Sequence, residues 1–147
     1  MTELLQEHVK EASTLAEVLE GVFKAFHVAG DGKKKSIGYV SGIITSDGPD
    51  KIQKNIEVLD GYTAKVRAQR EFPIFSAVDV FSNEVFARLN AFELPAESFE
   101  DFWRQILNSG WVSHIFMTPR WQESKGATDE YKTAKKLALK IHFIRED

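Results

Sequence analysis

Between Leu4 and Phe26 the apolar residues Leu5, Val9, Ala12, Leu15, Ala16, Leu19, Val22, Phe23 and Phe26 recur at three- and four-residue steps. That period predicts one amphipathic helix. Ala29-Gly30-Asp31-Gly32 supplies a C-cap and a turn before Lys33-Lys34-Lys35. The helix has to lay its apolar face on the chain's own sheet or on a second subunit. The pattern then changes to a short apolar run, Ile37-Gly38-Tyr39-Val40-Ser41, which reads as a buried strand stopped by Gly42 and the turn-rich Thr45-Ser46-Asp47-Gly48-Pro49. Asp50 is placed as an N-cap, with Gln53 completing a capping-box-like pair, and Ile52, Ile56, Leu59 and Val66 carry a helix to about Gln69.

Phe72-Pro73-Ile74-Phe75 is the second strand, and Pro73 pushes it toward a sheet edge because proline cannot donate to a ladder. Ser76 to Asp79 reads as the loop at its end. Asn83 to Glu97 reads as an irregular insertion, a lid over the sheet edge. Ser98 is the expected cap of a helix whose face is Phe99, Phe102, Trp103, Ile106 and Leu107, ended by Asn108-Ser109-Gly110. Val112 to Thr118 is the third strand, Lys125 to Lys136 a helix, and Leu139 to Ile144 the fourth strand. This alternation predicts an α/β protein, a parallel sheet in a three-layer sandwich. Its 147 residues suffice for one domain, with residues 1–32 as an N-terminal helix and linker and 33–147 as the α/β unit.

Charge and composition narrow the function classes. A net charge of −3 argues against a protein that works by neutralising nucleic-acid phosphates, and the three lysines from Lys33 read as a solvated linker. The absence of cysteine excludes disulfides, thiolate metal sites and cysteine nucleophiles. His8, His27, His114 and His142 lack metal-ligand spacing, and no metal or cofactor is expected. The acidic, interrupted N-terminal residues do not match a secretory signal and no apolar run reaches membrane-spanning length, so a cytoplasmic protein without membrane contact is expected. Neither a P-loop, nor a Gly-x-Gly-x-x-Gly turn, nor a Gly-x-Ser-x-Gly elbow is present.

In an open parallel sheet the residues just after each strand converge on one edge. That rule gathers Ser41-Gly42, Ser76, Asp79 and Thr118 to Trp121 into a crevice facing Glu130, in the first turns of the helix that Ser124-Lys125-Gly126 opens. Each candidate has two readings. Ser41-Gly42 allows a tight turn, or the approach of a sugar or phosphate. Asp79 caps the short helix near Ser82 or acts as an acid. Trp121 is a loop aromatic in the core or, beside Arg120, a stacking wall for a base. Glu130 is a structural first-turn carboxylate or a nucleophile.

The segments Tyr39-Val40-Ser41-Gly42 and Trp121-Gln122-Glu123-Ser124-Lys125-Gly126-Ala127-Thr128-Asp129-Glu130 resemble motifs of the nucleoside 2-deoxyribosyltransferase-like superfamily, particularly its small members. The resemblance spans roughly 37–144. It implies a flavodoxin- or Rossmann-like sheet in the order 2-1-3-4 and cleavage of N-glycosidic bonds in a nucleoside or nucleotide. It further implies Glu130 as the nucleophile, Ser41, Ser124, Lys125 and Gly126 near sugar or phosphate, Trp121 against the base, Asp79 as leaving-group acid, and a homodimer or larger homo-oligomer. Transferases of that family carry an acidic residue where Ser124 stands, so hydrolysis is favoured over base exchange. The alternatives are a non-catalytic nucleotide-binding or sensing domain on the same fold, and a structural protein that dimerises through its N-terminal helix.

Overall fold

A computed structural model describes residues 1–146. Four parallel strands, β1 (Gly38–Ser41), β2 (Ile74–Ser76), β3 (His114–Met117) and β4 (Lys140–Phe143), form one sheet in the order β2-β1-β3-β4. The helices are α1 (Thr2–Val9), α2 (Leu15–Ala29), α3 (Ile52–Gln69), α4 (Ala77–Val80), α5 (Asn83–Leu89), α6 (Ala96–Leu107) and α7 (Lys125–Lys136). The expected α/β class, parallel sheet, strand order and layered architecture are all present. Short 3₁₀ turns precede α3, follow α5 and precede α7.

Side chains of successive strand residues point to opposite faces, and this sorts the core into two parts. On one face Tyr39, Phe75, Ile115 and Met117 pack with apolar residues of α1, α2, α6 and α7. On the other, Val40, Ile74 and Phe116 meet Leu59 and Val66 of α3. The central strands β1 and β3 are buried along their whole length, as their continuous apolar runs require, whereas β4 at the edge is partly exposed. Pro73 immediately precedes β2, the opposite edge, where its carbonyl accepts from the Gly38 N–H at 2.9 Å.

The N-terminal segment departs from the expected single helix. Thr14 is the N-cap of α2, its hydroxyl accepting from the Glu17 N–H at 3.1 Å, while Glu17 reaches back to the Ser13 N–H at 3.2 Å. This reciprocal pairing starts a new helix, so the apolar period continues across a break in the backbone. Between the sheet and a second subunit as cover for its apolar face, the fold selects the sheet: Phe26 lies 5.2 Å, centroid to centroid, from Phe75 of β2. Two other helix starts also shift. The turn Pro49–Lys51 leads into α3, so neither Asp50 nor Gln53 caps it. Pro95 is the N-cap of α6, two residues before the end of the stretch expected to be irregular, and Ser98 lies inside the helix. The expected loop from Ser76 to Asp79 is largely α4, and Asn83 to Glu97 contains α5 capped by Ser82.

Candidate functional site

The chain leaves β1 at Ser41 and passes through Gly42 beside Thr118 and Leu59. A Cβ on Gly42 would lie 2.5 Å from the Thr118 hydroxyl oxygen, so the missing side chain lets the exits of β1 and β3 run side by side. Above this exit lies a cleft of about 440 Å³. Its floor and one wall include Tyr39, Gly42, Ser124, Lys125, Gly126 and Glu130, and its other walls come from the start of α3, from α4 to α6 and from the loops between them.

Glu130 is held at the bottom. It projects from the second turn of α7, is 8% exposed, and its Oε1 accepts the Ser41 Oγ–H at 2.8 Å. Burial pushes its carboxyl up to about 7, against the opposing pull of hydrogen bonds from Ser41 and Tyr39 and with a small push from the Asp129 charge. The Tyr39 phenol is driven well above its ordinary value, first by burial and then by the Glu130 charge beside it. Tyr39 is itself fixed by stacking on Trp103 at 4.7 Å and tilting against Phe75 at 5.1 Å. The result is a desolvated carboxyl with two oriented hydroxyls, open to the cleft on one side.

The start of α7 is closed by serines. Ser124 is the N-cap and its Oγ accepts from the Ala127 N–H at 3.1 Å, while the Ser46 Oγ accepts from the Lys125 N–H at 3.2 Å. Gly126 has no positive φ, and a Cβ there would stand 4.0 Å from both the Glu130 Oε2 and the Ser124 Oγ. Backbone geometry therefore does not demand glycine at this position. What glycine provides is open space over the carboxyl group.

The other candidates lie elsewhere. Asp79 is 6% exposed and does not line the cleft. Its Oδ2 accepts from Arg67 Nη2 and from the Ser76 N–H, both at 2.9 Å, and its Oδ1 accepts from Thr2 Oγ1 at 2.8 Å. These bonds make it a tie between α1, α3 and the exit of β2, rather than a cap for α5. Arg120 faces solvent in a left-handed conformation (φ 66°), paired with Glu123 at 2.8 Å and with Asp47 at 3.5 Å. Trp121 packs on Tyr131 at 4.5 Å and Phe143 at 6.1 Å, outside the cleft. Ser76 is fully buried and also outside it.

Sequence reading missed the actual aromatic wall. Phe81, Phe86, Phe92 and Phe99, together with Trp103, line the cleft, and the stretch expected to be a lid contributes Phe86, Ala91, Phe92 and Leu94. Phe99 and Trp103 belong to the apolar face of an amphipathic helix, and periodicity does not separate a core contact from a cleft wall. Glu100, also missed, is the second carboxyl of the cleft and sits 3.6 Å from Arg104, which in turn forks onto Asp129 at 3.0 and 2.6 Å. Arg104 thereby clamps α6 to α7 next to Glu130.

His114 and His142 form a separate cluster on the α3 face of the sheet. Their ring nitrogens Nδ1 and Nε2 lie 3.0 Å apart, and the rings stack with Phe72 and Phe116. Both imidazoles are held below their ordinary value, first by burial and then by neighbouring positive groups, among them Arg70 and Lys140. Among the described residues no group of three or more His, Asp or Glu is arranged to hold a metal ion, and no helix is long and apolar enough to cross a membrane. Compared with family models, with curated proteins and with solved structures, the chain matches none.

Proposed function

We propose that the protein cleaves the N-glycosidic bond of a nucleoside or nucleotide, with Glu130 as the nucleophile. The observation that carries this reading is the buried Glu130 carboxyl, gripped by Ser41 and facing a ligand-sized cleft. A carboxylate positioned on one face of a sugar can attack the anomeric carbon as the bond to the base breaks. One Glu130 oxygen forms the new C–O bond, the C–N electron pair leaves with the base nitrogen, and that nitrogen takes up a proton. Water then attacks the same carbon, the C–O bond to Glu130 breaks with its electron pair returning to the carboxylate, and the water proton is released.

Ser41 and Tyr39 fix the direction of the attacking oxygen and stabilise its charge when it ionises. Asp79 is engaged by Arg67, Thr2 and Ser76 and does not line the cleft, and the leaving nitrogen takes its proton from water. Gly126 gives the sugar room above Glu130. Incubation with a panel of nucleosides and nucleoside monophosphates, following free base, tests the reading. Release by the wild type and none by Glu130→Gln is the expected result; equal release by both would remove Glu130 from the mechanism. Ligand binding without release by the wild type would make this a binding domain.

A further inference from the structure

We infer that a second cavity, between α3 and the end of β4, binds a phosphoryl group, either as free phosphate or on a small phosphate monoester. It lies on the α3 face of the sheet, and its ligand is independent of the glycosidase reading.

The cavity measures about 280 Å³. Lys65, Arg70, Arg145 and His142 line it, with Gln69 as a neutral donor and Phe116 as an aromatic surface. Among the described residues no Asp or Glu lines it, in a chain whose net charge is −3. Four of the six arginines are spent elsewhere: Arg67 on Asp79, Arg104 on Asp129, Arg120 on Glu123 and Arg88 on the Ala12 carbonyl. Arg70 and Arg145 have no hydrogen bond or ion pair among the described residues, and both line this cavity. Arg70 lies over the Phe116 ring, 5.3 Å from its centroid, a contact that places the guanidinium without using its N–H donors. Lys65 has a contact of its own and adds positive charge. Like charges gathered around one space are relieved by an anion that fills it.

His142 supplies a further donor. Its Nε2 lies 3.0 Å from His114 Nδ1, and its own Nδ1 has no bond among the described residues. The one buried side-chain polar atom left without a partner there is the Ser76 hydroxyl, so His142 Nδ1 reaches solvent. An anion beside it selects the tautomer with the proton on Nδ1, leaving Nε2 to accept from His114. Burial first, then the charges of Arg70 and Lys140, hold the His142 imidazole below its ordinary value, and an anion offsets those charges. A tetrahedral dianion has oxygens enough for two guanidiniums and an imidazole, whereas a carboxylate has two.

The test follows the ring signals of the four histidines by NMR through a pH series at constant ionic strength, with inorganic phosphate, phenyl phosphate or acetate added. His142 is assigned by its loss in His142→Asn. Phosphate should raise the His142 midpoint by about half a pH unit or more, a coupling of about threefold between proton and anion, while His8 and His27 stay in place. Phosphate affinity should fall about tenfold in Arg70→Gln and in Arg145→Gln, each of which removes charge-assisted bonds, and should be unchanged in Lys125→Gln, which alters the Glu130 cleft. Tighter binding of phenyl phosphate than of inorganic phosphate identifies a monoester as the ligand; equal binding identifies free phosphate. An unmoved His142, an affinity indifferent to both arginines, binding lost in Lys125→Gln instead, or acetate bound as tightly as phosphate would overturn the inference.

Discussion

Glu130→Gln should change how stability depends on pH, in a direction set by the burial of the carboxyl. In the unfolded chain Glu130 titrates near its ordinary 4.5, and in the fold it is pushed up to about 7. Between those values the native state holds a proton that the unfolded state has released, so stability falls as pH rises. The contribution is complete below 4.5 and is gone above about 7. At about 1.4 kcal/mol per pH unit the interval is worth about 3 kcal/mol, an upper figure because water entering the cleft would relieve part of the cost. Glutamine keeps the shape and does not ionise, so the variant lacks this term. The assay is urea unfolding of both proteins at closely spaced pH values from 4 to 9. The difference, variant minus wild type, should rise by about 2 to 3 kcal/mol across the interval and level off above it; other titrating groups cancel in the difference. Parallel curves would refute a buried, elevated Glu130. In the proposed mechanism Glu130 attacks as the carboxylate, so kcat/KM for base release should rise through about pH 7 in the wild type.

Gly126→Ala should leave stability unchanged or raise it by up to about 1 kcal/mol, since alanine is the better helix former. Its methyl would stand over the carboxyl, so ligand affinity or turnover should fall about tenfold or more; a fully active variant would show that the space above Glu130 is unused. Asp79→Asn should cost about 2 kcal/mol in denaturant unfolding, by weakening charge-assisted bonds from Arg67, Thr2 and Ser76, while turnover of the folded fraction stays that of the wild type. Loss of turnover without loss of stability would return Asp79 to the chemistry.

Some of this was legible because a local signal and a tertiary requirement agreed. Ser124 before an amphipathic stretch ending in lysines marks α7 residue for residue, and that placement brings Glu130 to the edge where β1 ends. Pro73 likewise announced an edge strand. The N-terminal region misled because Val9, Ala12 and Leu15 keep a helical period across a break, although Thr14 and Glu17 carry a readable capping signal. Arg120 and Trp121 were placed at the right edge but on the wrong side, since distance along the chain does not say which flank of α7 a loop covers. Asp79 looked like a loop acid because its partners, Thr2 and Arg67, come from helices remote in sequence. Glu100 was invisible: on an amphipathic helix it is one polar residue among several, and only the packing of α6 against α7 brings it to the cleft.

The strand order has a consequence for synthesis. β1 is central, yet its partner β3 follows it by 76 positions, from Gly38 to His114. At ribosomal speeds of about 5–20 residues per second, that edge waits about 4–15 s for its partner. During that interval β1 and β2 are an incomplete sheet with an apolar flank, a target for chaperones and for aggregation. α7 emerges later still, so the Glu130 carboxyl is among the last groups to be enclosed. A nascent chain therefore acquires its cleft only when its fold is nearly finished.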